Sequence, residues 1–299
     1  MCIYCAIGGL AFKVEGLAFS EVPGNYQPFI VPEAHVEATP LFILRVSDRL
    51  TDSLSEKGDW TLVHNDISEA DMPRLEIYQS SRGWLINMSM TRDSEICAML
   101  QASENFAEAE LVVCSPIAAV RDFAINNATM LLFAFTALKY KALELHASVV
   151  VKDEKGYLFL GKSGTGKSTH SRMWQEAFDD AWLLNDDNPV VRIEDDGVWV
   201  YGSPWSGKTP CYKNARARVG AFVRLHQAPR NSITKARPSK AYVEIYGSCS
   251  GLKFTEAVRD ELYEVIRKVI EAVPVWELDC LPNHDAAYLC CESVSIKST

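Results

Sequence analysis

GKSGTGKSTH, residues 161–170, has a glycine, four intervening residues and then Gly-Lys-Ser, the spacing that curls backbone N–H groups around a polyphosphate. That chemistry needs a close backbone path, a lysine for the outer phosphates, a hydroxyl for a magnesium ion and a helix N-terminus behind them. Gly161, Gly164 and Gly166 supply the path, with Ser163, Thr165 and Thr169 completing the cradle. Lys167 supplies the charge and Ser168 the metal-binding hydroxyl. The apolar run GYLFL precedes the loop as a buried strand, and STHSRMWQEAF follows as an amphipathic helix. Strand, glycine turn and helix in that order place this half of the chain in the α/β class.

A second stretch, GSPWSGKTP at 202–210, fits the same letters in a different setting. Pro204 stiffens the middle of the loop, Pro210 biases Thr209 towards extended geometry, and CYKNARARVG has no apolar helical face. It reads as a loop that does not bind the nucleotide phosphates itself. With Trp205, Ser206 and Lys208 exposed it is a candidate acceptor loop, and an ordinary surface hairpin is the competing reading.

A phosphate loop needs a carboxylate at the end of a neighbouring strand. AWLLNDDNP delivers Asp186 and Asp187 at the polar end of an apolar run, so that one can hold metal and the other accept the proton of an incoming hydroxyl. Alone, Asn185 to Asn188 would read as a simple turn. His146, at the start of the ASVVV run, is either a structural strand-end histidine or a polar group of the site.

Outward from this centre, 299 residues with 48% hydrophobic residues suffice for two cores. From Leu41 to Cys114, LFILRV, WTLVH, RLEIYQ, GWLINMSM and AELVVC alternate with polar turns, giving antiparallel strands. Ser115 and Pro116 are the expected N-cap and first residue of a long helix connecting the halves. The expected division is 1–115 as a small α+β domain, 116–142 as the connecting helix and 143–299 as the phosphate-loop domain. Further strands are expected at VVRIE, VWVYG, VGAFVRL, AYVEIYG and PVWELDC, with helices at TEAVRDELYEVIRKVIEAV and NHDAAYLCCESV.

A net charge of −9 without a basic stripe excludes nucleic acid as the expected partner. No apolar run reaches membrane-spanning length, since Lys139 and Lys141 interrupt the longest candidate, so no membrane partner is expected. The nine cysteines lack paired metal-site spacing, and their odd number without a leader segment points to the cytoplasm. A homo-oligomer is left open.

The run LHASVVV…GYLFLGKSGTGKST…LLNDD…VGAFVRL resembles the catalytic domain of HPr kinase/phosphorylase and the related nucleotide domain of ATP-dependent phosphoenolpyruvate carboxykinase, over about half the chain. The resemblance implies a P-loop domain with a mixed sheet and flanking helices; with the smaller α+β domain that the strand pattern places before it, the chain is expected to be α+β overall. It implies ATP and Mg2+ as cofactors, His146 near the acceptor, Asp186 as general base, and Asp187 with Ser168 as metal ligands. ARPSKAYVEI is loosely similar to an arginine-containing stretch of the kinases, which makes Arg237 and Lys240 candidate phosphate contacts. Thr169 departs from the glutamate usual in HPr kinases, and the carboxykinases' substrate-binding arginines have no counterpart here. The expected activity is transfer of the γ-phosphoryl group of ATP to a hydroxyl on a protein serine or a small molecule. A carboxykinase-like reaction on a small carboxylic acid and a non-catalytic ATP-binding regulator are the alternatives.

Overall fold

The computed structural model describes residues 2–36, 38–47, 59–65, 73–207, 209–251, 253 and 255–295. It is a mixed α/β protein with two large mixed sheets and flanking helices, and the chain divides into two compact units, Met1–Ala137 and Leu138–Thr299.

The first unit carries β1 (Cys2–Ile7), β2 (Leu10–Glu15), β3 (Ile30–Val31), β4 (Ile43–Ser47), β5 (Thr61–Asn65), β6 (Arg74–Ser80), β7 (Gly83–Ser89), β8 (Ile96–Ala102), β9 (Glu108–Val113) and helix α1 (Ala118–Thr136). Their order in the sheet is β3-β1-β2-β4-β9-β8-β7-β6-β5. In the first hairpin Gly8 and Gly9, at φ 57° and 76°, form the two-residue turn that tight antiparallel pairing of β1 and β2 demands. α1 packs on β8 and β9, Ala124, Ala128 and Leu132 are buried along it, and the hydroxyls of Thr129 and Thr136 donate to carbonyls one turn back, so neither is buried unpaired. The helix starts later than Ser115 and Pro116. Ile117 is the extended N-cap residue, and Ser115 Oγ instead accepts the Ile117 N–H at 3.3 Å.

The second unit carries β10 (Ala142–Glu144), β11 (Ala147–Lys152), β12 (Lys155–Leu160), α2 (Lys167–Ala177), β13 (Trp182–Asn185), β14 (Val190–Glu194), β15 (Gly197–Tyr201), β16 (Arg216–Gln227), β17 (Ser232–Lys235), α3 (Pro238–Ser248), α4 (Glu256–Ala272), β18 (Val275–Cys280) and α5 (His284–Ser295). The order is β10-β14-β15-β16-β12-β11-β13, with β18 also on β16 and β17 on β18. One face of the sheet packs on α3 and α4 through Leu158, Leu160, Phe222, Ile245, Leu262 and Ile266. The other packs on α2 and α5 through Phe159, Val223, Trp174 and Cys290. β16 runs parallel to both β12 and β18, so three strands end on one side of the sheet, where ligands of such folds gather.

AYVEIYG, expected as a strand, lies within α3. Pro238 starts that helix, and the buried Ala241, Glu244, Ile245 and Ser248 recur at helical spacing, which outweighs the β-propensity of the tyrosines and valine. His146 directly precedes β11, which pairs antiparallel with β12; the chain between β10 and β11 is irregular at Leu145 and His146, whose amides bond to Pro189 O at 3.1 Å and Ser248 O at 2.7 Å.

On the α2 face, Trp174 Nε1 donates to His170 Nε2 at 3.1 Å, and the His170 ring meets Phe159 edge-on. Indole N–H is a donor only, so this ring nitrogen must carry no proton, and burial lowers the His170 pKa from 6.5 to about 4. Between those values the unfolded chain binds more protons than the fold, so stability is lost as pH falls through that window. In urea denaturation, the stability advantage of wild type over His170→Gln is expected to shrink by on the order of 3 kcal/mol from neutral pH to the bottom of that window; an advantage independent of pH would contradict this.

Candidate functional site

The loop after β12 leaves the sheet at Gly161, turns where Thr165 N bonds to Lys162 O at 3.1 Å, and enters α2 at Lys167. Gly164 and Gly166 have φ of 76° and 104°, which disfavours any side chain, and a Cβ on either would meet nothing within 4 Å. Both therefore border open space in front of the α2 N-terminus. At Gly161 a Cβ would lie 2.9 Å from the Thr165 side chain, so glycine lets the limbs of the loop close on each other. Gln227, at the end of β16, clamps the crest by donating to Gly164 O at 3.2 Å. Ser163 and Ser168 are exposed at the loop, and Thr165 and Thr169 are half-buried.

Lys167 is only 7% exposed. Its ammonium donates to Gly161 O at 3.0 Å and lies 2.9 Å from His146 Nε2. Burial lowers its pKa, Asp187 and Asp186 oppose that shift, and Arg224 reinforces it. His146 Nε2 also lies 3.3 Å from Asp187 Oδ1, so this nitrogen stands between an ammonium and a carboxylate. The break between β10 and β11 places it there.

Asp186 is 3% exposed. Ser148 Oγ donates to its Oδ1 at 2.9 Å, and Ser171 Oγ lies 2.6 Å from Ser148 Oγ. Since Ser148 spends its one proton on the carboxylate, Ser171 is the donor in that second bond. Asp186 Oδ2 is buried and has no hydrogen-bond partner among the described residues. Asp187 is half-buried, and its Oδ2 accepts from Asn188 Nδ2 at 3.2 Å.

Asn185, read from sequence as part of a turn, holds this corner together. Its Oδ1 accepts the amides of Asp187 at 2.5 Å and Asn188 at 2.9 Å. Its Nδ2 donates to Ser203 Oγ at 3.1 Å and Trp205 O at 3.2 Å. The second loop is thereby fastened to the aspartate pair. No helix follows it; the chain runs irregularly to β16. Trp205 is not exposed as expected but 4% accessible, in a loop held inward by Asn185 and Ser203; Ser206 is half-buried, and Lys208 lies outside the described residues.

The structure thus gathers His146, Lys167, Asp186 and Asp187 around the glycine loop. Arg237 is exposed just before α3, and no hydrogen bond or ion pair joins it to these residues among those described. Lys240 is paired with Glu244 at 2.9 Å and Glu277 at 3.5 Å. Sequence reasoning missed Ser148, Ser171, Asn185, Ser203 and Gln227. Ser148 alone left a trace, as a polar residue inside an apolar strand.

Among the described residues no cluster of three or more His, Cys, Asp or Glu side chains is placed to hold a metal ion. Magnesium asks less of the protein, taking one or two carboxylates together with phosphates and water. The half-buried Asp187 carboxylate and the open space before Gly164 and Gly166 fit such an ion and a polyphosphate, and leave the unpartnered Asp186 Oδ2 as a further acceptor. No described helix is long and apolar enough to cross a membrane.

Asn185→Ala is expected to lower unfolding stability in urea by about 2 to 3 kcal/mol, because it strands buried donors and acceptors. It should also speed amide exchange at Trp205; unchanged stability and exchange would refute the fastening role.

No protein-family model and no curated protein matches the chain. Among solved structures it is similar to the Hpr(Ser) kinase/phosphatase from Coxiella burnetii, at 15% sequence identity over 50% of this chain and 92% of that chain, with a TM-score of 0.30. The reading of the site rests on its own geometry.

Proposed function

We propose that the second unit is an ATP-dependent phosphotransferase that moves the γ-phosphoryl group to a hydroxyl, on a protein serine or a small molecule. The observation that carries this is the buried Lys167 ammonium, set at a helix N-terminus between the glycine loop and an aspartate pair whose Asp186 Oδ2 is unpartnered.

The amides from Ser163 to Ser168 and the Lys167 ammonium bind the phosphates and stabilise charge on the transferring group. Ser168 and Asp187 would hold Mg2+, which when bound supplies charge neutralisation across the outer phosphates. Ser148 and Ser171 hold Asp186 by its Oδ1, which leaves Oδ2 to take the proton of the acceptor hydroxyl. His146, beside both Lys167 and Asp187, keeps the ammonium turned to the phosphates and borders the acceptor. The reading of the chain as a non-catalytic ATP sensor gives Asp186 Oδ2 no task.

Asp186→Asn is expected to cut phosphoryl transfer by about 100-fold or more while leaving ATP affinity nearly unchanged. Lys167→Ala should weaken ATP binding by about tenfold or more. Both are read by calorimetry and by transfer of labelled phosphate into cell extract and metabolite pools. If Asp186→Asn transferred phosphate like wild type, Asp186 would not be the base. If no acceptor pool were labelled by wild type, the phosphotransferase reading would fall.

A further inference from the structure

GSPWSGKTP is the one motif of the chain to which the reaction above assigns no task, although the fold spends several buried contacts on seating it. Gly202 tolerates no side chain, since a Cβ would lie 2.0 Å from Lys213 O. Ser203 is fully buried, with its hydroxyl on Asn188 O at 2.6 Å, and Trp205 is turned inward. These anchors bring the crest of the loop against the aspartate pair. A Cβ on Gly207 would stand 3.0 Å from Asp186 O and 3.2 Å from both Cβ and Cγ of Asp187. Ser206 is the next residue, its Cα about 3.8 Å from that of Gly207. It is half-buried, and its hydroxyl donates only within the loop, to Thr209 O at 2.7 Å. The loop thus holds a serine hydroxyl one residue from the wall of the site, bonded among the described residues to Thr209 O, a bond that a small rotation breaks.

We infer that Ser206 is a phosphorylation site of the protein itself, filled in cis by the neighbouring phosphate loop. This rests on the phosphotransferase reading and names an acceptor for it. In the step, Ser206 Oγ forms a bond to the γ-phosphorus of ATP, and the bond from that phosphorus to the β–γ bridging oxygen breaks. ADP leaves with the electron pair, and the Ser206 proton passes to Asp186 Oδ2. The product is a serine phosphomonoester beside Asp187. Ser203 is excluded as the acceptor by its burial and its bond to Asn188 O. Thr209 lies further along the loop from Gly207.

The purified full chain, incubated with ATP and Mg2+ and no other protein, is expected to gain one phosphoryl group by intact mass, mapped to Ser206 by peptide sequencing. The rate per molecule should not change on dilution. Ser206→Ala should lose the label, Ser206→Thr should regain it at the same position, and Asp186→Asn should lose it while still binding ATP. Label on Thr209 alone, or a rate that falls on dilution, would overturn the inference. Labelling of a component of cell extract with Ser206 left bare would overturn it too, while the phosphotransferase reading stood. Absence of label on any acceptor, with ATP bound, would remove both.

Discussion

One side-chain amide governs the geometry around the glycine loop. Asn185 is fully buried, and its two polar ends face different parts of the chain: the carbonyl takes the amides of Asp187 and Asn188, and the NH2 group holds Ser203 and Trp205. These partners are held away from bulk solvent, so their loss would leave interior polar groups without their native bonds. The turn that presents the aspartates and the irregular segment from Gly202 onward are therefore a single object. Asp186 has a second restraint from the sheet and α2 through Ser148 and Ser171. The carboxylates are thus fixed from different directions.

Lys167 adds the complementary stress. An ammonium at the first residue of a helix opposes the helix dipole, which favours anions there, and burial raises the cost further. Gly161 O and the nearby carboxylates relieve part of that cost. Such an arrangement is poor for stability and suited to an anion, because a helix N-terminus and a buried ammonium lie together.

What could be read in advance follows the range of the interactions. The glycine loop, its strand and its helix depend on neighbours in sequence, and GYLFL, GKSGTGKST and STHSRMWQEAF announce them. The aspartate pair was visible because an apolar strand delivers it. The nature of α3 was hidden because Tyr242, Val243 and Tyr246 favour strands in isolation, while burial of Ala241 and Ile245 decides for a helix. Asn185, Ser203, Ser148 and Ser171 act through partners far along the chain, and an asparagine in a polar turn or a serine in an apolar run carries no sign of which distant atom it will meet. The inward turn of Trp205 has the same origin, since only the tertiary seat of the loop decides it.

β16 gives the architecture a sequence in time. The strand that feeds the glycine loop, β12, finds its parallel partner only at Arg218–Arg224, and β18 joins that partner later still. At roughly 5 to 20 residues per second, a ribosome has to run on for several seconds after making the phosphate loop before β12 can be flanked on both edges. A nascent chain halted between Asp187 and Arg216 would carry the glycine loop and the aspartate pair without the parallel strand that supports β12. On the proposed reading, nucleotide would be a late constituent of the folding protein, gripped only once β16 has left the tunnel.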